Sequence, residues 1–180
     1  MSLRFAILTA LAERESTGIE LARRFDRSIG YFWTASHQQI YRELERLSAE
    51  DLVTEAPLAG PPRRGQPRSF AITGAGRLAL ADWTALTDDA VPPTRDAALV
   101  RLRAAAAMDA PELAVATLRA QLGLHQERLQ SYRAIEERDF AGDSPSVATR
   151  IQHLILRSGI EAEESRIAWC CAGLRELGAG

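Results

Sequence analysis

The chain has 180 residues, 46% of them apolar, so it is long enough for one ordinary domain or two small ones and can bury a core rather than stay disordered. Its 22 basic residues, all Arg, against 24 acidic ones leave a net charge of −2, which by itself argues against a nucleic-acid partner. No apolar run is long enough to span a membrane, and the opening "MSLRFAILTALAERE" runs without a cleavage site into a periodic helix, so it is not read as a signal peptide and the expected location is the cytoplasm.

Residues 2–14 carry Leu3, Ala6, Ile7, Ala10 and Leu11 at helical spacing. In "ESTGIELARRF", Thr17 followed three residues later by Glu20 forms a capping box for a second helix with Ile19, Leu21, Ala22 and Phe25 on its apolar side. After "GYFW", Ser36 is the N-cap of a third helix running to about Glu50. Then the period changes. "LVTEAPL" is β-prone at its start, "PRSFAIT" reads as a strand ending at Thr73, and the intervening "AGPPRRGQP" has turn chemistry, so the pair makes a hairpin. A fourth helix starts near Gly74 and carries Leu78, Leu80, Trp83 and Leu86. Helix, helix, helix, hairpin, helix is the order of a winged helix-turn-helix.

Pro92 and Pro93 stop the fourth helix and divide the chain into residues 1–89 and 90–180. Everything beyond reads as helix: a short one over roughly 95–108, a long one from Pro111, a break at "FAGDSPS", and a last one to the end. The long helix has Val115, Leu118, Leu122, His125, Leu129 and Tyr132 in steps of three and four, a coiled-coil-like seam. The last helix repeats the spacing with Ile151, Ile155, Ser158, Ala162, Ser165, Trp169 and Ala172, small in the middle so that a second helix can come close. Either seam serves packing within the chain or between two copies. The expected fold is mainly α, with the winged unit followed by a helical dimerisation domain held through Leu118, Leu122, Leu129, Ile151, Ile155, Ala162 and Trp169.

The third helix carries the chemistry. Ile40, Leu44 and Leu47 share one stripe, and Gln38, Arg42 and Glu45 point the other way, with Gln39 and Arg46 to one side and Tyr41 to the other. Gln can pair with adenine, Arg with guanine, and Glu can accept from cytosine. Tyr41 could bond a phosphate. A solvated amphipathic helix has the same pattern, and Glu43, Glu45 and Glu50 oppose phosphate, so this helix must enter a groove by a chosen side. The hairpin supports the groove reading. Between Glu55 and Asp82 the only charged residues are Arg63, Arg64, Arg68 and Arg77, so Arg63, Arg64 and Arg68 form a basic tip without acidic neighbours in sequence. A solvated loop is the plain alternative.

Other chemistries find less support. Gly74, Gly76 and Ala79 match a loose dinucleotide pattern, but no βαβ unit surrounds them. His37, His125 and His153 lie far apart, with no metal-ligand spacing and no paired nucleophile, so neither catalysis, cofactor nor metal is expected. Cys170 and Cys171 are adjacent and cannot form an ordinary disulfide with each other; they read as small apolar residues, with a thiol sensor as the alternative. Trp33, Trp83, Tyr132 and Trp169 are either core residues or walls of a pocket for a small aromatic or drug-like effector.

"LTALAERESTGIELARRF", "FWTASHQQIYRELERLSAEDLV" and "GQPRSFAITGAGRLALADW" resemble the PadR-type transcriptional regulators over Leu3 to Trp83. The pieces are Gly18, Phe32 with Trp33, the run Ile40, Tyr41, Leu44 and Leu47, and the hairpin end Arg68, Phe70, Ile72, Thr73 and Gly76. The second half is similar in layout only. Two positions depart from the family: Asp51 where Gly is usual, and Phe70 where Tyr is frequent. The resemblance implies a homodimeric winged-helix regulator, usually a repressor of a neighbouring gene. Residues 36–39, 41, 42 and 46 (Ser36, His37, Gln38, Gln39, Tyr41, Arg42, Arg46) would meet operator DNA, and the wing arginines its backbone. Two third helices would enter successive major grooves about 10 bp apart on a palindrome. An effector would act by changing their separation. The competing reading is a winged helix that docks protein and binds no DNA.

Overall fold

In the computed structural model, the first helix, α1 (Leu3–Glu13), turns four buried residues, Ile7, Leu8, Ala10 and Leu11, toward the core of the first half of the chain. Residues 3–25, 35–56, 68–86, 96–142 and 146–180 are described by the structure, which falls into two units, Met1–Val91 and Pro92–Gly180.

In the first unit, β1 (Ser16–Thr17) leads into α2 (Gly18–Arg24). The capping box is present: the Glu20 amide donates to Thr17 Oγ1 (3.2 Å) and the Thr17 amide to Glu20 Oε2 (2.8 Å). Those bonds from the Thr17 backbone and hydroxyl hold the Glu20 carboxyl below its ordinary value. Arg24 reaches back to the Ala10 carbonyl (2.7 Å), Ser16 Oγ (3.1 Å) and Glu13, tying α2 to the end of α1.

The third helix, α3 (His37–Ala49), follows Ser36 as expected. Its Ile40, Leu44 and Leu47 join Leu21, Ala22 and Phe25 of the α2 segment and the α1 residues in one core. Fully burying each such aliphatic side chain contributes about 2 kcal/mol, so this stripe fixes which side of α3 faces out. Arg4 pairs with Glu50 and clamps the start of α1 to the end of α3.

Strands β2 (Val53–Ala56) and β3 (Ser69–Ile72) make the hairpin, with Val53 opposite Ile72 and Ala56 opposite Ser69. Strand β1 adds to the far edge of β3, giving the antiparallel order β1-β3-β2. Two residues leave no alternation to read, so this strand is legible only from its partner. Helix α4 (Gly74–Ala85) is capped by Thr73 and lays Trp83 flat on Phe5, ring centroids 4.6 Å apart. Leu78 and Leu86, expected on its apolar side, are exposed in this unit.

Helix α3 ends in a Schellman motif: the Leu52 amide donates to the Leu47 carbonyl (2.9 Å) and the Asp51 amide to Ser48 (3.2 Å), with Asp51 left-handed at φ 57°. Asp is disfavoured here twice, by its Cβ and by its charge at a helix C-terminus. Asp51→Gly should therefore stabilise the unit by about 1 kcal/mol, read as a higher urea midpoint at unchanged slope. No gain would mean the carboxylate has a compensating role.

The second unit is helical: α5 (Ala97–Ala107), α6 (Pro111–Phe140) and α7 (Val147–Glu176). Each long helix runs about 45 Å, and they pack as an antiparallel hairpin. Down it, Leu118 meets Gly173, His125 meets Glu163, Tyr132 meets Gly159, and Glu136 meets His153. Helix α5 packs on α6, and its cap Asp96 accepts from Arg166 of α7 (3.2 Å).

Candidate nucleic-acid interface

On α3 the expected reading residues Ser36, His37, Gln38, Gln39, Tyr41, Arg42 and Arg46 are all exposed, and the opposite stripe is buried. Their neighbours then divide them. Gln39 accepts from the Ser36 amide through Oε1 (2.8 Å), and its own amide donates to Ser36 Oγ (3.3 Å), so it completes a second capping box. Arg46 pairs with Glu43 (3.5 Å). Among the described residues, no hydrogen bond or ion pair engages Gln38 or Arg42. These two, a turn apart on one face, are the side chains available for base edges. Of the three acids that oppose phosphate, Glu50 is paired with Arg4 and Glu43 with Arg46; Glu45 stands beside Arg42 on the outward face.

Tyr41 is positioned by glycine. A Cβ on Gly18 would run into the Tyr41 ring, with the hydroxyl at 3.0 Å, so the bare backbone at the start of α2 provides the seat for that ring. Gly18 and Tyr41, two separate pieces of the family pattern, are thus one packing contact.

Arg68 stands at the base of the wing, exposed, and its Nη1 donates to Glu55 Oε1 across the hairpin (2.7 Å). The stretch without acids in sequence acquires one in three dimensions, because β2 brings Glu55 to β3. Arg63 and Arg64 lie outside the described residues, as do Phe32, Trp33, Pro92 and Pro93.

The glycines of the dinucleotide pattern have a packing explanation. Gly76 is buried, and a Cβ there would collide with the Leu52 carbonyl oxygen and approach Ile72 Cγ1 at 2.8 Å. Its role is the close approach of α4 to the start of β2.

In the helical unit the two expected seams separate. Leu118, 3% exposed, packs with Cys170 and Leu174, and Leu122 packs against the same cluster, so these α6 residues lie inside the hairpin; Leu129 is half-buried. They were expected at a dimer contact. Within the chain Leu118 packs against Cys170 and Leu174 and borders the cavity beside Trp169. On α7 the reverse holds. The inward face is Leu156, Ile160, Glu163, Cys170 and Leu174, while Ile151, Ile155, Ser158, Ala162, Ser165, Trp169 and Ala172 all remain exposed. Val147 and Leu154 extend that outer stripe, and continuing the same spacing toward the N-terminus would have found Val147.

The aromatic residues considered as pocket walls go to different places. Trp83 is stacked on Phe5 in the first unit. Tyr132 is buried against Gly159, and burial pushes its phenol up. Trp169 borders a cavity of about 600 Å³ at the other end of the hairpin, with Leu102, Ala106, Pro111 and Leu118. Tyr132 and Trp169 therefore do not share a wall.

His125 Nδ1 lies 2.5 Å from buried Glu163, which also faces Arg128, and His153 bonds Glu136 (2.8 Å) while stacking on Phe140. The bonds from His153 and Arg133 hold the Glu136 carboxyl below its usual value. Burial, and after it the neighbouring Cys171, pushes the Cys170 thiol up. Among the described residues, no group of three or more His, Cys, Asp or Glu could hold a metal, and no helix is long and apolar enough to cross a membrane.

Comparison with known proteins bears on both halves. Residues 7–82 match the transcriptional regulator PadR-like family, and residues 94–178 match a family described as the virulence activator alpha C-terminal region. A Mycobacterium tuberculosis protein described as "Probable transcriptional regulator" is 43% identical over 94% of both chains. The Vibrio cholerae virulence activator AphA is similar in structure, with a TM-score of 0.80 at 33% identity, covering 99% of each chain. Bacillus subtilis PadR, described as a negative transcriptional regulator, is 26% identical over 93% of this chain and 92% of its own. It has been solved with operator DNA (TM-score 0.83, 97% of this chain and 98% of that one) and with p-coumaric acid (TM-score 0.80, 98% of each). The winged helix, the helical second half and these likenesses over nearly the whole length agree: the chain belongs to the PadR-like family of transcriptional regulators.

Proposed function

We propose that this regulator acts as a cytoplasmic homodimer on a palindromic operator, reading bases in two successive major grooves with Gln38 and Arg42 of each α3. The observation that carries the proposal is the state of those two side chains: exposed and without a partner among the described residues, on a helix capped by Ser36 and seated by Ile40, Leu44 and Leu47. Tyr41, Ser36 and His37 flank them and contact phosphate. The wing supplies the nonspecific part through Arg63, Arg64 and Arg68. Dimerisation uses the outer stripe of α7, from Ile151 through Ala162 to Trp169, which nothing in the second unit covers among the described residues.

The proposed sign is repression. The fold is shared with a protein described as a negative regulator and with one described as a virulence activator. Where the operator lies relative to the promoter would then set the sign. A small aromatic effector is the further proposed partner, on the ground that Bacillus subtilis PadR has been solved with p-coumaric acid.

Fluorescence anisotropy on the chain's own promoter and on scrambled DNA, at two salt concentrations, tests the reading. Salt-dependent binding that prefers the promoter is expected. If selection from random DNA also enriches nothing, the winged helix is a protein-docking module. Removing Arg63 and Arg64 together should weaken promoter and scrambled DNA alike and reduce the salt slope by up to about 2. An unchanged slope would take the wing off the phosphates.

A further inference from the structure

The outward face of α3 carries a third polar side chain beside Gln38 and Arg42. Glu45 stands three residues beyond Arg42. At 3.6 residues per turn Gln38, Arg42 and Glu45 fall within an arc of about 60°, opposite Ile40, Leu44 and Leu47. Glu45 is exposed. The next residue on the same line, Ala49, is exposed too, and it is too small to hold the backbone away from a surface laid against this face. The neighbouring acids are neutralised: Glu43 accepts from Arg46 (3.5 Å) and Glu50 from Arg4 (2.5 Å). Glu45 differs. Among the described residues no ion pair or hydrogen bond engages its side chain, although Arg42 and Arg46 stand close in sequence.

A carboxylate at that place has a cost and a use. On DNA it meets phosphate oxygens and, in the major groove, the base acceptors guanine N7 and O6, adenine N7 and thymine O4. All of these repel it. The cytosine N4 amino group is a donor with no acceptor of its own base beside it in the groove, and a carboxylate accepts from it. We propose that Glu45 is a specificity-determining residue that selects a cytosine in each half-site, on the base pair next to the one whose guanine Arg42 reads. With α3 lying along the groove, the three residues from Arg42 to Glu45 advance about 4.5 Å, more than one base-pair step of about 3.4 Å. The two side chains therefore reach neighbouring pairs. Selection works from both sides. Glu45 gains on one base and is repelled everywhere else, so it weakens binding to DNA that lacks the cytosine. The inference rests on the groove reading proposed above and adds one base to it.

Selection from random DNA with the full chain, Arg42→Ala and Glu45→Ala tests this. The parent should enrich a half-site with guanine and cytosine preferred on adjacent base pairs. Arg42→Ala should lose the guanine. Glu45→Ala should lose the cytosine, a preference of roughly tenfold or more in Kd when single-base variants of the site are titrated by anisotropy. Alanine is the best helix former and position 45 is exposed, so the fold should be kept. Scrambled DNA should bind Glu45→Ala more tightly than the parent, a gain that a carboxylate facing only water would not give. A Glu45→Ala chain that enriches the parent's motif unchanged, loses a base other than a cytosine beside the guanine, or gains nothing on scrambled DNA overturns the assignment and leaves reading by Gln38 and Arg42 standing. A parent chain that enriches no motif overturns both.

Discussion

Arg42→Ala should lower affinity for the operator by roughly 10- to 100-fold per half-site and leave affinity for scrambled DNA unchanged, the loss of one bidentate base contact being about 1–3 kcal/mol. The asymmetry follows from where the side chain stands. Arg42 is exposed, with no partner among the described residues, on the face opposite Ile40, Leu44 and Leu47. Removing it exposes no core and breaks no bond described in the chain, so the protein should fold as before. What goes is the pair of donors that matches guanine. Arg46→Ala is the internal control. Arg46 is already paired with Glu43, so the change should cost less on the operator. Anisotropy titrations on operator and scrambled DNA with both variants decide the matter. Equal loss from Arg42→Ala on every sequence would make Arg42 a phosphate contact and hand base reading to Gln38.

The second large effect is on stability. Gly76→Ala should destabilise the winged-helix unit by about 3 kcal/mol and lower its Tm by roughly 15 °C. A methyl at position 76 meets backbone: the Leu52 carbonyl oxygen, with the Leu52 carbonyl carbon at 3.1 Å, and Ile72 on the other side. That oxygen already accepts from the Thr73 amide (3.1 Å), and the Gly76 amide donates to Thr73 Oγ1 (3.0 Å). Relief would require α4 to lift off the start of β2, at the expense of the bond from the Thr73 amide to the Leu52 carbonyl. Calorimetry of the full chain should show the first unit's transition moving down while that of the helical unit stays. A Tm within a degree or two of the parent would show that the contact yields freely. The contrast is Gly74, two residues earlier, where an added Cβ meets nothing within 4 Å and alanine should be tolerated.

Much of the fold was legible because local chemistry and hydrophobic period agreed. Thr17 with Glu20, Ser36 before Ile40, Thr73 before the fourth helix and Pro111 at the head of α6 all begin helices where the sequence says they should. The outward set of α3 was legible for the same reason: once Ile40, Leu44 and Leu47 must be buried, 100° per residue fixes where Gln38 and Arg42 point. Asp51 was marked by its departure from the family pattern, Asp where Gly is usual, and the structure holds it left-handed at φ 57°.

What the sequence alone determined is therefore what a single helix or turn can specify: the elements, their caps, and which side of α3 is polar. What only the tertiary structure decided are relations between residues far apart in the chain. Strand β1 exists because β3 offers an edge to Ser16 and Thr17. Arg68 gains Glu55 because the hairpin folds one beside the other. Gly18 is needed for Tyr41, and Gly76 for Leu52. The two seams of the helical unit look alike in sequence, since a period of three and four residues marks any apolar face. Only the pairing of α6 with α7 turned Leu118 inward and left Ile151, Ala162 and Trp169 outside. Periodicity records that a surface must be covered; which partner covers it depends on the three-dimensional order of the helices.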